Sequence, residues 1–164
     1  MDKFVAMTSD MEEKINFNDD IEKKYLTFFL GNENYGIGIR YVLQIIVMQD
    51  ITQMPDMPHE MKGFINLRGS VIPVVSLRIK FDKPEVECND RTCIIIIQLE
   101  GRDIGLIVDA INETIAIESE QISQAPSLND KCENAYVDGI ARLDDGNMVL
   151  LLDAEKLFAN DEVY

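Results

Sequence analysis

Histidine is almost missing from this 164-residue chain: His59 is the only one. A Ser-His or Cys-His nucleophile system would have to use it, and it stands in a loop bounded by Pro55 and Pro58, where an exposed histidine is the expectation. Cysteine is also scarce. Cys88, Cys93 and Cys132 form an odd set, whereas a structural zinc site takes four ligands in paired spacing. Reduced thiols and no bound metal are expected. Basic residues number 15 against 30 acidic ones, a formal net charge of −15. Affinity for nucleic acid comes largely from cations laid along phosphates, so DNA, RNA and anionic membranes are excluded as main partners. No apolar run reaches the length of a membrane span, and Met1-Asp-Lys-Phe lacks the basic-then-apolar order of a signal peptide. A cytoplasmic protein is expected. There is no Walker-type phosphate loop, no glycine fingerprint after a strand and no Gly-x-Ser-x-Gly elbow. Nor does any carboxylate stand in an apolar context that would raise its pKa usefully. The chain reads as a non-enzyme with no cofactor.

What the chain does have is β pattern. An apolar content of 46% supports a sizeable core, in one domain or in two small subdomains that share it. The stretch from Gly63 to Phe81 is the most informative. Ile65 and Leu67 alternate with Phe64, Asn66 and Arg68, Gly69-Ser70 supplies a turn, and Val71 to Val75 resumes as a β-branched run. Pro73 cannot donate to a ladder, which places this second strand at a sheet edge or a bulge. From Lys62 to Phe81 the chain carries Lys62, Arg68, Arg78 and Lys80 and no acidic residue. Such cations can simply face solvent, or they can serve a partner.

In chain order, residues 1–22 hold seven acidic and two basic residues and read as a mobile acidic arm. Tyr25 to Leu30 is the first strand, 31–34 a turn, and Tyr35 to Ile39 the return strand of a hairpin. Ile46 to Met54 reads as a strand. Pro58 opens a helical turn over 59–62 that Gly63 closes. Met54, Met57 and Met61 cluster around that loop as core filling. Residues 82–90 form a polar connector. Arg91 to Leu99 is the strongest strand, since Cys93-Ile94-Ile95-Ile96-Ile97 is apolar on both faces and must be covered on both. Residues 103–108 come back after a turn at Gly101. Residues 118–133 read as a polar loop, 144–147 as a hairpin turn, and 153–158 as a C-terminal helical turn with Asp153 as its N-cap.

An internal repeat underlies this order. Residues 35–42 parallel 104–111, and Gly63 to Val75 parallels the segment that starts at Gly139. Each half thus contains a hairpin, a linker, a glycine and a second hairpin. Two small β-units are expected, roughly 25–83 and 91–158, within one domain over 23–160.

Asn66-Leu67-Arg68-Gly69, followed by Val71-Ile72-Pro73-Val74-Val75 and Leu77-Arg78, resembles the signature of the CheW family of chemotaxis coupling proteins. The likeness extends upstream to Phe29-Leu30-Gly31 and Tyr35-Gly36-Ile37, and downstream to Gly105-Leu106-Ile107-Val108-Asp109. It covers nearly the whole chain, from Lys24 to Phe158. The resemblance implies two five-stranded SH3-like β-barrels packed side by side, with short helical turns. It implies that 40–45 form such a turn leading into a strand. It implies an adaptor that couples the cytoplasmic tip of chemoreceptors to the regulatory domain of the histidine kinase CheA, in arrays on the inner face of the membrane.

The resemblance also implies partner contacts at Val42, Gln44, Ile45, Arg68, Cys93, Gly105 and Thr114, around a groove between the barrels. Gly63, Asn66, Leu67, Gly69, Pro73 and Gly139 would then be turn or framework positions. Arg68 can serve as a partner contact or as an internal brace. Gln44 stands where the family commonly has glutamate, which removes a charge beside the groove. A small-molecule- or peptide-binding barrel unrelated to chemotaxis is the alternative.

Overall fold

A computed structural model describes residues 21–124 and 136–158. The expected acidic arm, the loop around Pro126 and Cys132 lie outside the described residues, apart from the edges of the first two segments.

Two antiparallel hairpins begin each repeat and set the architecture. β1 (Lys24–Leu30) pairs with β2 (Glu33–Gly38) across the turn at Gly31 and Asn32. β6 (Cys93–Leu99) pairs in the same way with β7 (Arg102–Val108). The later hairpin of each repeat is β4 (Met61–Leu67) with β5 (Ser70–Ser76), and β10 (Val137–Arg142) with β11 (Met148–Leu152). β3 (Val42–Val47), β8 (Ala110–Ala116) and the short β9 (Ile122–Gln124) complete the strands. One-turn helices follow β5 and β11: α1 (Leu77–Lys80) and α2 (Ala154–Leu157).

The strands form two sheets, ordered β8-β1-β2-β11-β10-β9 and β3-β6-β7-β5-β4. The first hairpin of each repeat is therefore built into the sheet of the other repeat. β2 runs parallel to β11, and β7 runs parallel to β5. The expected boundary between 83 and 91 is not where the sheets part. Among the described residues the chain passes from one sheet to the other twice: at the 3-10 turn Ile39–Tyr41 before β3, and at Asp109 between β7 and β8. A hairpin's apolar alternation is the same whichever sheet receives it, so the repeat is visible in sequence and the exchange is not.

The core follows from this arrangement. Ile95 and Ile97 face a central cluster that also holds Leu26, Phe28, Ile37 and Leu106, drawn from both sheets. Ile94 and Ile96, on the opposite face of the same strand, fill one barrel with Ile65, Ile72 and Val74. Ile117, Ala141, Val149 and Leu151 fill the other. The isoleucine run is thus covered on both faces, as its composition requires. These side chains occupy the barrel interiors.

Several local expectations are corrected. The six-stranded sheet exceeds the expected five by β9, within a segment read as loop; its counterpart in the other sheet is a single bridge, Thr52 to Phe64. The strand expected to reach Met54 ends at Val47. The helical turn expected over 40–45 is displaced to Ile39–Tyr41, and Val42 is already in β3. Residues 59–60 form a plain turn rather than a helix, because Met61 is pulled into β4, buried and paired with Val75. Met61 fills core, but Met54 is 53% exposed. Pro73 lies on neither an edge nor a bulge. β5 sits between β7 and β4, and Pro73 falls just before the stretch paired with β7, so its missing N–H breaks no β5–β7 bond.

Gly63 and Gly139 occupy the same place in their repeats, each at a register shift in its hairpin. At Gly63 φ is 145°, and an added Cβ would stand 2.2 Å from the Thr52 carbonyl oxygen. Gly63→Ala is expected to destabilise the fold by about 3 kcal/mol or more, through strain and loss of the Thr52 bridge. Gly69→Ala, with φ 88° and open space around the new methyl, is expected to cost only about 1 kcal/mol. Denaturant midpoints of the two variants measure the difference.

Candidate partner-binding groove

β3 and β8 are edge strands of different sheets, and they flank one seam. Cys93 lies between them: it pairs with Val47 of β3, and its sulfur accepts from the Ile111 backbone in β8. Ile45 and Ile111 are half-buried against the central core from the two sides. Cys93 thus marks the seam where the β3 edge of one sheet comes near the β8 edge of the other. Burial pushes the Cys93 thiol up to about 11, slightly offset by the Ile111 bond, so it packs as a small hydrophobe rather than reacting.

Both edges are bent by bulges. Between Val42 and Gln44 the β3–β6 register shifts, which turns Leu43 out to 45% exposure, while Val42 stays buried against Ile97. Gln44 and Ile45 are half-exposed, and Val47 is 74% exposed at the strand end. On the other edge the β1–β8 register shifts around Thr27. The buried Thr27 hydroxyl donates to the Glu113 carbonyl (2.7 Å) and accepts from the Glu113 N–H (3.1 Å), which satisfies the backbone that the bulge leaves unpaired. Thr114 follows, half-exposed and paired with Leu26. A partner laid along this seam would meet apolar side chains and the free backbone edges of two strands.

Gly105 does not reach the groove surface. It is buried inside a barrel, where a Cβ would come within 2.9 Å of Ile94 and 3.3 Å of Val74. Its missing side chain leaves room for Ile94 of β6 and Val74 of β5, the strands on either side of β7.

Arg68 lies at the tip of the β4–β5 hairpin. Arg68 and Gly69 have φ of 54° and 88°, as a primed two-residue hairpin turn requires. Asn66 supports the turn by accepting the Gly69 N–H through Oδ1 (3.0 Å). Half-buried Leu67 anchors the tip on the barrel cluster that also carries Ile46 of β3. A left-handed arginine costs about 1 kcal/mol, yet its side chain is exposed and has no hydrogen-bond or ion-pair partner among the described residues. It does not brace the hairpin from within.

The other three cations of the basic island are engaged. Lys62 pairs with Glu85 (2.7 Å). Lys80 is buried, with Nζ 5.2 Å from the Tyr136 ring centroid and 5.0 Å from that of Phe158. Arg78 forms a fork on Asp109, Nε to Oδ1 at 2.8 Å and Nη2 to Oδ2 at 2.5 Å. The same Asp109 oxygen accepts the Gly31 N–H at 2.7 Å, and Arg78 Nη1 donates to the Pro84 carbonyl at 2.9 Å. Sequence reading assigned neither Arg78 nor Asp109 a role, although each closes a segment of the family signature.

The Arg78 guanidinium, with a smaller contribution from the Gly31 N–H, holds the Asp109 carboxyl below the usual carboxylate range. A depressed folded pKa contributes stability that is complete above the unfolded value of about 4 and is lost as pH falls through the folded one. Asp109→Asn is therefore expected to lower stability at pH 7 and to flatten the decline below about pH 4. Urea midpoints across pH 2 to 7 for both proteins check the sign.

A family model described as a CheW-like domain matches residues 24–162. The Chemotaxis protein CheW of Klebsiella aerogenes is 32% identical over 145 residues, covering 88% of this chain and 87% of that protein. The Chemotaxis protein CheW of Treponema pallidum is 31% identical over 149 residues, with the same two shares. The crystal structure of the scaffolding protein TtCheW from Thermoanaerobacter tengcongensis superimposes with a TM-score of 0.77 at 35% identity, covering 85% of this chain and 94% of that one. Its two SH3-like β subdomains, its signature hairpin and this similarity along almost all of its length agree: the chain belongs to the CheW family.

Proposed function

We propose that this protein is a non-enzymatic chemotaxis adaptor that couples the cytoplasmic tip of chemoreceptors to the regulatory domain of the histidine kinase CheA. The observation that carries this reading is the seam between β3 and β8. Two bulged edge strands there present Leu43, Val47 and half-exposed Gln44, Ile45 and Thr114 beside a solid core. Such an apolar strip with free strand edges suits the side of a helical receptor tip, which would bury it. The role places the protein in the cytoplasm, at receptor arrays.

Arg68 supplies the polar part. A strained, unpartnered guanidinium on a rigid hairpin tip is pre-organised to form charge-assisted bonds with a carboxylate of the partner. Gln44, neutral where the family commonly has glutamate, shifts partner preference away from basic groups at that point in the groove. Among the described residues there is no group of three or more potential metal ligands, and no helix is long and apolar enough to cross a membrane.

Co-sedimentation with receptor-containing membranes, with and without CheA, followed by kinase assay, tests the role. Protein in the pellet, added kinase recruitment and raised autophosphorylation are expected; binding to neither partner would refute the role. Arg68→Ala is expected to weaken receptor binding about tenfold, the scale of one or two charge-assisted bonds, with an unchanged thermal midpoint.

A further inference from the structure

The two passages between sheets are related by the repeat, and they are built differently. Asp109 in the second repeat corresponds to Arg40 in the first, because 35–42 parallels 104–111. The one-turn helices correspond as well: Ser76 and Asp153 are their N-caps, so Arg78 corresponds to Glu155. The charges are reversed between the two ends, acid on the passage and base on the helix at one, base on the passage and acid on the helix at the other.

Only one end is closed. Asp109 holds the Arg78 fork and the Gly31 N–H, which joins α1, the β7–β8 passage and the β1–β2 turn in one node. Its own N–H donates to the Phe29 carbonyl at 3.1 Å. Arg40 is exposed and turned onto its neighbour Tyr41, 2.9 Å from the hydroxyl and 4.9 Å over the ring, with no direct ion pair to Glu155. The closed passage leads into β8 and the open one into β3, the two edges of the seam.

We propose that Asp109 is a positioning residue: its bidentate pair with Arg78 fixes the angle between the two sheets and so the spacing of β3 from β8. A single residue, Asp109, separates β7 from β8, so its dihedrals set how one sheet leaves the other, and two elements, α1 and the β1–β2 turn, anchor its carboxylate. A planar fork resists rotation in a way that a single contact to an ammonium does not. The consequence for binding rests on the reading of the groove as the receptor site; the consequence for sheet geometry does not.

Nitroxide labels at Gln98→Cys and Asp138→Cys, one exposed site on each sheet, measure the inter-sheet distance in a Cys88→Ser, Cys132→Ser background. Buried Cys93 stays unlabelled. A narrow distribution is expected with Asp109 intact and a broadened one in Asp109→Asn. Arg78→Lys, which keeps the charge but loses the fork, should broaden it less. Affinity for a receptor-tip fragment should fall about tenfold in Asp109→Asn, as expected when a preformed site loosens. An unchanged distribution in all variants overturns the proposal, and so does broadening without loss of affinity. If the unmodified protein binds no receptor fragment, the adaptor reading fails, and the distance measurement alone still decides whether the node holds the sheets.

Discussion

Everything in this fold depends on the exchange of the first hairpins between repeats. Each sheet is completed by strands from the other half of the chain, through the parallel pairs β2–β11 and β5–β7. Neither half can bury its apolar face alone, since the faces of β1, β2, β6 and β7 that meet in the central core belong to different sheets. A small β-unit of this size would be marginal by itself. Sharing one core between two such units joins them and also creates the seam between the β3 and β8 edges.

The seam combines a packed floor with bulged edge strands. Cys93 and the isoleucines beside it are buried and chemically inert, so the base of the groove is set by packing. The bulges of the edge strands lie at Val42–Gln44 and around Thr27. Bulges twist an edge away from uncontrolled pairing and aim particular side chains outward. Here they leave Leu43 exposed and satisfy the freed backbone through a threonine hydroxyl.

Charge is used sparingly in this acidic chain. Of the four cations between Lys62 and Lys80, one is spent on an exposed pair, one on two aromatic rings and one on a carboxylate fork. Arg68 alone is held out, at a backbone conformation that an arginine adopts at a cost. That contrast separates the three engaged cations from the exposed one more clearly than charge count does. The four look alike in sequence because a basic residue carries no sign of which acidic residue, tens of positions away, will meet it.

The sequence by itself determined the elements, the repeat and the family. Alternation and turn residues located the hairpins, and the isoleucine run announced a strand covered on both faces, because these depend on neighbours along the chain. Only the tertiary structure decided which sheet each hairpin joins, that Gly105 lies inside a barrel rather than on the groove, and that Pro73 sits within the sheet. It alone brought Arg78 to Asp109, 31 residues apart. Those outcomes turn on long-range pairing and on where neighbouring strands stop, and local pattern is silent about both.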